Sequence, residues 1–163
     1  MARGEAADHG LTSSRHEFLE RRDTVRPSMH SLMDELSVGP IIYGCMRIGG
    51  AWSPEPPSPD ERASAFRALD TAHDCGARLF DHADIYTCGR SETLFGEWLR
   101  SRGIPRDRVL IQSKCGIRPG EGDAPDRYDF SREHILGSVE GILARLGVDN
   151  LDCPDAPPSR SFG

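Results

Sequence analysis

Short apolar runs alternate along the chain with segments whose apolar residues recur at helical spacing. The runs at residues 41–46, 78–83 and 109–113 each contain consecutive apolar side chains, which predicts three strands. Each run is followed by a segment with helical periodicity, and alternating strands and helices are typical of β/α units on a parallel sheet. The sequence therefore predicts an α/β fold with about three β/α units over residues 37–152.

Capping signals mark the ends of the predicted helices. Ser58, Pro59 and Glu61 predict the start of the first helix, and Gly76 predicts its end. The second helix is predicted over residues 91–100, and the third between the caps Ser131 and Gly147. The residues expected to pack on the sheet are Phe66, Leu69 and Ala72 in the first helix, Leu94, Phe95, Trp98 and Leu99 in the second, and Ile135, Leu136, Val139, Ile142, Leu143 and Leu146 in the third.

The two ends of the chain have a different composition. Residues 1–36 are polar and charge-dense, which predicts a disordered or weakly helical extension in which Met29 and Met33 are alternative translation starts. A fourth strand is expected to begin near Leu151 so that the third helix can pack across two strands. Residues 153–163 are instead rich in proline and do not resemble a native central strand.

Composition and charge narrow the classes of function. The formal net charge is -6 and no cluster of Lys and Arg occurs, which argues against nucleic acid as a partner. No apolar run approaches the roughly 20 residues that cross a bilayer, and the first residues do not resemble a secretory signal, so a cytoplasmic location is expected. The five cysteines form no CxxC pair, which favours reduced structural thiols over metal ligands.

Three polar residues stand near the predicted carboxyl ends of the second and third strands. Asp81 lies in an otherwise apolar run, Tyr86 follows it in the loop, and Lys114 lies at the end of the third run. Loops at this edge of a parallel β/α fold converge, so the three side chains are expected to meet. A phenol becomes a useful acid near neutral pH when a cation stabilises its phenolate, so the set predicts proton transfer. Each residue alone also fits a structural role, as a loop contact, a packing residue or a solvated strand end.

The order and spacing of several motifs resemble one known family. The stretch from Gly76 to Tyr86, followed by Ser91-Glu92 and Phe95-Gly96, is similar to the signature of the aldo-keto reductases. Ile111-Gln112-Ser113-Lys114 resembles the family's strand end with the catalytic lysine, and Gly44-Cys45-Met46-Arg47 with Gly49-Gly50 resembles its first strand and the turn near the nicotinamide. The resemblance implies an incomplete TIM (β/α)8 barrel, because complete barrels typically need about 250 residues.

The resemblance also implies a reaction and a role for each motif residue. The reaction is the NADPH-dependent reduction of a small-molecule carbonyl substrate, in which Tyr86 protonates the carbonyl oxygen, Lys114 assists it and Asp81 pairs with Lys114. The residues implied to bind NADPH are Gly44, Cys45, Met46, Arg47 and Asp81. Trp52, in the loop after the first strand, either lines the substrate pocket or packs on its own turn. No metal is implied.

The chain also departs from the family pattern. After Leu151-Asp152 it has no counterpart of the family's substrate-orienting histidine, and the later residues that hold the nicotinamide and the 2'-phosphate are absent. A shifted reading of the codons from Cys153 permits Val-Leu-Met-His-Arg-Pro, so we hypothesise a frameshift, which resequencing of the gene tests. With three of the four catalytic residues, the isolated chain is expected to be weakly active or inactive.

Two other functions remain open. A non-catalytic binding or regulatory module would use the surface of the same partial barrel, and NADPH titration separates it from an enzyme. A phosphate-handling barrel of another family is disfavoured because no glycine-rich phosphate loop opens a helix. The uncovered edge of the third strand and its apolar face predict self-association for either function.

Overall fold

The fold is described for residues 29–35, 41–120 and 122–152 in a computed structural model. In chain order its elements are α1 (Met29–Glu35), β1 (Ile42–Gly44), α2 (Pro59–Asp74), β2 (Leu79–Asp81), α3 (Arg90–Arg102), β3 (Leu110–Gln112), β4 (Ile117–Arg118), β5 (Arg127–Tyr128) and α4 (Arg132–Leu146). Short 3₁₀ helices at Tyr86–Gly89 and Arg106–Arg108 precede α3 and β3. The tail from Cys153 and most of the predicted N-terminal extension lie outside the described residues.

The strands β1, β2 and β3 form a parallel sheet in that order, which confirms the predicted α/β class. The register places Gly44, Asp81 and Gln112 side by side at the carboxyl ends of the strands. Each strand is shorter than the apolar run that predicted it. Cys45, for example, still donates its N–H to the carbonyl oxygen of Asp81 (2.9 Å), but residues 46–49 already form a turn.

The capping signals that the sequence predicted are confirmed at both helices that carry them. At α2, the Ser58 hydroxyl accepts from the N–H of Glu61 (3.2 Å) and the Glu61 carboxylate accepts from the N–H of Ser58 (2.8 Å), with Pro59 in the first helical position. At α4, the Ser131 hydroxyl accepts a backbone N–H of the first turn, and Gly147 ends the helix with φ of 68°. Local chemistry therefore sets where these helices begin and end.

A short hairpin lies between β3 and α4, where the sequence predicts only a charged loop. The strands β4 and β5 pair antiparallel, with Ile117 opposite Tyr128 and Arg118 opposite Arg127. An ion pair between Arg118 and Asp129 (2.8 Å) lies beside this pairing. The loop prediction is wrong here because strands of two residues give no alternation long enough to be recognised in a sequence.

The chain returns to the sheet beside β3 at its last described residues. The N–H of Asp152 donates to the carbonyl oxygen of Ile111 (2.8 Å), and its carboxylate accepts from the N–H of Ile111 (3.0 Å) and from Arg106 (2.5 Å). These hydrogen bonds occupy the side of β3 on which a fourth strand is expected. Residues 151 and 152 do not themselves form a strand.

The predicted apolar faces of the helices form the core against the sheet. Phe80 of β2 packs on Phe95 and Trp98 of α3, with ring centroids 4.8 and 5.9 Å apart, and all three side chains are fully buried. Full burial of a large apolar side chain contributes about 1.5–3 kcal/mol. Leu136 of α4 has the same helical spacing as its buried neighbours but is 45% exposed, so the predicted face of α4 is narrower in the structure.

Close approach of α3 and α4 depends on a glycine. A Cβ at Gly96 would collide with the backbone of Leu146, the last residue of α4. A Cβ at Gly137, in the middle of α4, would meet open space. The two positions therefore separate the effect of helix packing from the effect of glycine on helix stability.

We predict that Gly96→Ala destabilises the chain by about 1–3 kcal/mol, because the added methyl group forces α4 away from α3. Gly137→Ala should stabilise it by about 0.5–1 kcal/mol, since alanine loses less backbone entropy in a helix. Urea unfolding followed by circular dichroism measures both changes in the free energy of unfolding. Equal effects of the two substitutions would contradict the close approach of the helices.

Candidate active site

The carboxyl ends of the three parallel strands lie at one edge of the sheet. Asp81, the last residue of β2, lies between Gly44 of β1 and Gln112 of β3. Lys114 follows the end of β3, and Tyr86 begins the 3₁₀ turn after β2. Functional groups of β/α folds collect at this edge because the loops converge there. The structure thus brings the three predicted catalytic residues to one edge.

Asp81 and Lys114 form an ion pair with three hydrogen bonds to the ammonium group. Lys114 Nζ donates to Asp81 Oδ1 (2.6 Å), to Asp81 Oδ2 (2.7 Å) and to the carbonyl oxygen of His82 (2.7 Å). Gln112 Nε2 also donates to Asp81 Oδ1, at 2.6 Å. An ammonium has three donors, so this geometry uses all of them and fixes the position of the charge. The Lys114 side chain remains 51% exposed, which leaves the charge accessible from solvent.

The ring of Tyr86 lies beside this fixed charge. Lys114 Nζ is 5.1 Å from the ring centroid, within the range of a cation–π contact. The ammonium therefore faces the ring, while its hydrogen bonds go to Asp81 and His82. Among the residues that the structure describes, the Tyr86 hydroxyl has no hydrogen-bond partner. The hydroxyl is thus available to a ligand at the edge of the sheet.

The turn that follows Tyr86 has a strained backbone. Thr87 and Cys88 have φ of 49° and 56°, in the left-handed region that favours glycine. Thr87 is fully buried, its hydroxyl donates to the carbonyl oxygen of Tyr86 (2.7 Å), and a Cβ at Gly49 would collide with it. Such conformations cost on the order of 1–3 kcal/mol each and persist only where the surroundings impose them. The contacts of Thr87 therefore hold Tyr86 in place.

Three buried polar residues open α3, and we call Arg90, Ser91 and Glu92 the polar cluster. Their exposed fractions are 5%, 0% and 0%. Ser91 Oγ donates to the carbonyl oxygen of Cys45 (2.8 Å), directly after β1. Glu92 Oε1 accepts from Ser113 Oγ (2.7 Å), directly after β3. The polar cluster thus reaches the ends of the two outer strands of the sheet.

The polar cluster is also joined to α2 through Arg90 and to α4 through Arg145. Arg90 Nη1 donates to the carbonyl oxygen of Ala51 (3.0 Å) and Arg90 Nη2 to Glu61 (2.7 Å), which joins the loop after β1 to α2. Arg145 Nε of α4 donates to Glu92 Oε2 (2.7 Å). Hydrogen bonds from two backbone N–H groups, and then from Arg90, lower the pKa of Glu61 to about 2. The Glu61 carboxylate therefore remains an ionised partner of Arg90 near neutral pH.

Sequence reasoning identified this cluster only in part. Ser91 and Glu92 were identified only as part of the family signature, and Arg90 was not identified. A usable signal was present, because three successive polar residues stand at the start of a helix whose next turns are apolar. Polar residues at that place, next to the carboxyl ends of the strands, indicate a buried contact as well as a helix start.

His82 is fully buried and follows Asp81 directly. Its Nδ1 lies 3.1 Å from Ser91 Oγ, and the only proton of that hydroxyl is donated to Cys45. His82 Nδ1 must therefore be the donor, which assigns the neutral Nδ1–H tautomer. Nε2 is then an acceptor with no partner among the described residues. Burial lowers the pKa of His82 to about 3, so the folded chain keeps this ring neutral near neutral pH.

The residues implied to bind NADPH present different groups at the edge of the sheet. Gly44 has open space where a Cβ would lie, and Met46 and Arg47 are exposed. The backbone N–H groups of Met46 and Arg47 have no partner within the described ranges. Cys45 is fully buried, which raises the pKa of its thiol, and its N–H and carbonyl oxygen already bond to Asp81 and Ser91. Open space and unpaired donors fit a polar cofactor that lies against the backbone, with Asp81 as the neighbouring carboxylate.

Trp52 lies on a groove next to the Asp81–Lys114 pair, not at the pair itself. Its side chain is 57% exposed. The groove has a volume of about 790 Å³ and is also lined by the loop after β2, the hairpin and α4, including Ile85, Arg118 and His134. Tyr86 and Lys114 are not among the lining residues. The structure therefore brings three predicted site residues together and places Trp52 on a neighbouring surface.

Comparison with known proteins assigns the family. Residues 40–154 match the model of the Aldo/keto reductase family, and the chain belongs to this family of oxidoreductases. Versiconal hemiacetal acetate reductase of Aspergillus parasiticus is 34% identical over 129 residues, an alignment that covers 69% of this chain and 37% of that protein.

Solved structures agree with this assignment. An aldo-keto reductase from Bacillus halodurans in its holo form matches with a TM-score of 0.56 at 27% identity, covering 70% of this chain and 34% of that one. Another, from Klebsiella pneumoniae in complex with NADPH, matches with a TM-score of 0.51 at 26% identity, covering 71% and 34%. The three β/α units are thus part of an α/β barrel in a family that binds NAD(P)-type cofactors. The chain spans a little over a third of the length of these relatives.

Within the described ranges, no three His, Cys, Asp or Glu side chains are arranged to hold a metal ion. Every helix in the part of the chain that the structure describes is too short or too polar to span a bilayer.

We predict that the chain loses stability as the pH falls from 6.5 toward 4.5, through His82. The unfolded chain takes up a proton near the ordinary pKa of 6.5, whereas the folded chain resists protonation down to about 3. Unfolding therefore binds a proton across this window, and the free energy of unfolding decreases by up to about 1.4 kcal/mol per pH unit. Urea unfolding at a series of pH values measures the slope.

The control for this prediction separates His82 from other groups. Burial also lowers the pKa of His73, so His73→Gln measures its share of the slope. Glu61 and Asp70, with folded pKa values of about 2, contribute only as the pH falls below their ordinary values of 4.5 and 3.8. His82→Gln should flatten the slope between pH 6.5 and 4.5. An unchanged slope in that variant would contradict a buried neutral His82.

Proposed function

We propose that this chain takes part in the NADPH-dependent reduction of a small-molecule carbonyl compound, with Tyr86 as the proton donor. The observation that supports this most strongly is the position of Lys114 Nζ. It contacts both carboxylate oxygens of Asp81 and lies 5.1 Å from the centre of the Tyr86 ring. A tyrosine hydroxyl beside a fixed positive charge is suited to general acid catalysis.

The side chains of the site divide the proton chemistry between them. The Tyr86 hydroxyl donates its proton to the carbonyl oxygen of the substrate, which becomes an alcohol. The remaining phenolate lies next to the Lys114 ammonium, whose charge stabilises it. Asp81 and the carbonyl oxygen of His82 hold the ammonium in position throughout. Bound NADPH supplies the hydride that the carbonyl carbon receives.

The turn after β1 is the proposed contact with NADPH. Gly44 leaves space for a ligand against the backbone, and the exposed Met46 and Arg47 offer unpaired N–H donors. Arg47 adds a positive charge that suits an anionic cofactor. The buried Cys45 would support this turn from within through its hydrogen bonds to Asp81 and Ser91. The bound NADPH of the Klebsiella pneumoniae relative supports this choice of cofactor.

Turnover by these 163 residues alone is expected to be slow. In the described structure, the groups that could hold a substrate carbonyl beside Tyr86 come from the ends of three strands, which leaves its position loosely defined. Loose positioning of a substrate can cost about 100-fold in rate. Binding of NADPH is therefore the more direct first measurement on this chain.

We propose that the chain also associates with copies of itself. A cytoplasmic location stays a prediction from the sequence. Ile41 and Ile42, at the start of β1, are 70% and 52% exposed, and exposed apolar patches favour association. The negative net charge disfavours nucleic acid as a partner.

A non-catalytic binding module is the second candidate, and one feature favours it. Tyr128 and Phe130, in and after the hairpin, stack with their rings 5.8 Å apart and are 74% and 70% exposed. Exposed stacked aromatics are suited to contact a partner. Such a role would not require Tyr86, so carbonyl reduction and NADPH titration distinguish the two functions.

We predict that Tyr86→Phe lowers the rate of NADPH-dependent carbonyl reduction by about 10²–10⁴-fold, because the phenyl ring has no proton to donate. NADPH affinity should not change, since the proposed cofactor contacts lie after β1. Tyr128→Phe removes a hydroxyl from an exposed ring and is the matched control, with an unchanged rate. NADPH absorbance with a panel of aldehydes and ketones measures the rate, and NADPH fluorescence measures binding.

Two outcomes distinguish the role of Tyr86 from the proposed function as a whole. Oxidation of NADPH by Tyr86→Phe at the rate of the unmodified chain would show that Tyr86 is not the proton donor. Absence of NADPH binding by the unmodified chain would contradict the proposed function as a whole.

A further inference from the structure

The first turn of α3 contacts the ends of two neighbouring strands through adjacent residues. Ser91 Oγ lies 3.1 Å from Nδ1 of His82, the residue after β2. Glu92 Oε1 accepts from Oγ of Ser113, the residue after β3, at 2.7 Å. Consecutive residues of a helix are rigidly spaced, so these two contacts hold the strand ends at a fixed separation.

Lys114 connects the same two strand ends. Its backbone follows Ser113 directly, and its Nζ donates to the carbonyl oxygen of His82 and to both oxygens of Asp81. Three hydrogen bonds from one ammonium on a flexible stem persist only while the two strand ends keep their separation. A shift of β3 relative to β2 would therefore displace Nζ from Asp81 and from the ring of Tyr86.

Burying Glu92 in the first turn of α3 is energetically unfavourable if its only role is packing. It is fully buried, and a buried carboxylate needs hydrogen bonds to offset the loss of water. Its two oxygens accept from Ser113 and from Arg145, each at 2.7 Å. An apolar side chain would fill the space without that penalty but would not fix a distance and an angle, as a hydrogen bond does.

We propose that Glu92 is a positioning residue for Lys114 and acts through Ser113. The carboxylate holds the end of β3 so that Nζ stays on Asp81 and beside Tyr86. The consequence for catalysis rests on the proposed function, whereas the geometric link can be tested without it.

The sequence provides a direct readout, because Lys114 is the only lysine among the 163 residues. The full chain labelled with ¹⁵N-lysine gives NMR signals from one side-chain ammonium and one lysine backbone amide. The double variant Glu92→Met/Ser113→Ala replaces both partners of the hydrogen bond by apolar groups, which can be nearly neutral for stability. Exchange of the Lys114 ammonium protons with water should become about tenfold faster, because its hydrogen bonds loosen.

Controls separate positioning from general destabilisation. Leu99→Ala removes a buried side chain near the far end of α3 and should change the exchange by less than about twofold. Ser113→Thr keeps the hydroxyl and should keep the exchange of the unmodified chain. Ser113→Ala alone decides the test if the double variant does not fold.

Two results would overturn the proposal. One is an exchange rate in the double variant within about twofold of the unmodified chain, and the other is an equal acceleration by Leu99→Ala. NADPH titration of the same samples reports on the proposed function separately, so a failure to bind the cofactor leaves the result for Glu92 intact.

Discussion

The edge of the sheet depends on the pairing of polar groups that α3 buries in its first turn. Burying Arg90, Ser91 and Glu92 is unfavourable unless their polar atoms find partners, and the available partners belong to the segments that leave the strands. Ser91 bonds to the backbone of Cys45, and Glu92 bonds to Ser113. The strand ends must therefore adopt the one arrangement in which Ser91 and Glu92 find these hydrogen-bond partners. The hydrogen bonds of the polar cluster therefore fix the geometry of the candidate site.

Short strands make this requirement important for the candidate site. Each strand of the parallel sheet has only three residues, so few ladder hydrogen bonds hold its end in register. Lys114 lies past the end of β3, where one further backbone hydrogen bond joins its carbonyl oxygen to the N–H of Asp84 (3.0 Å), and its Nζ must remain within hydrogen-bond distance of Asp81. Contacts from outside the sheet add restraint to these few backbone hydrogen bonds. The buried Thr87, which fixes the carbonyl of Tyr86, and the buried Glu92 supply it on two sides.

The sequence predicts those parts of the fold that local chemistry determines. The helix starts at Ser58 and Ser131 follow from capping, which involves residues three apart, and the strand-end rule brings Asp81, Tyr86 and Lys114 together correctly. Strand lengths and the hairpin were not predicted well, because the end of a ladder depends on distant partners. The polar cluster was underestimated for a related reason. Hydrophobic patterning treats polar residues as surface, and their burial appears only once the strand ends that they bind are placed beside them.

The position of Lys114 over the ring of Tyr86 places a fixed positive charge beside the proposed proton donor. The Tyr86 hydroxyl has no partner among the described residues, so in the proposed reaction its proton is free to be donated to a carbonyl oxygen. The charge of a phenolate spreads into the ring, so an ammonium 5.1 Å from the centroid still attracts it. That attraction is on the order of 1–3 kcal/mol between the limits of bulk water and a protein surface. The same ammonium already attracts the neutral ring, so it needs no rearrangement when the proton leaves. In the proposed reaction, fixing Lys114 on Asp81 thus places the charge before the proton leaves.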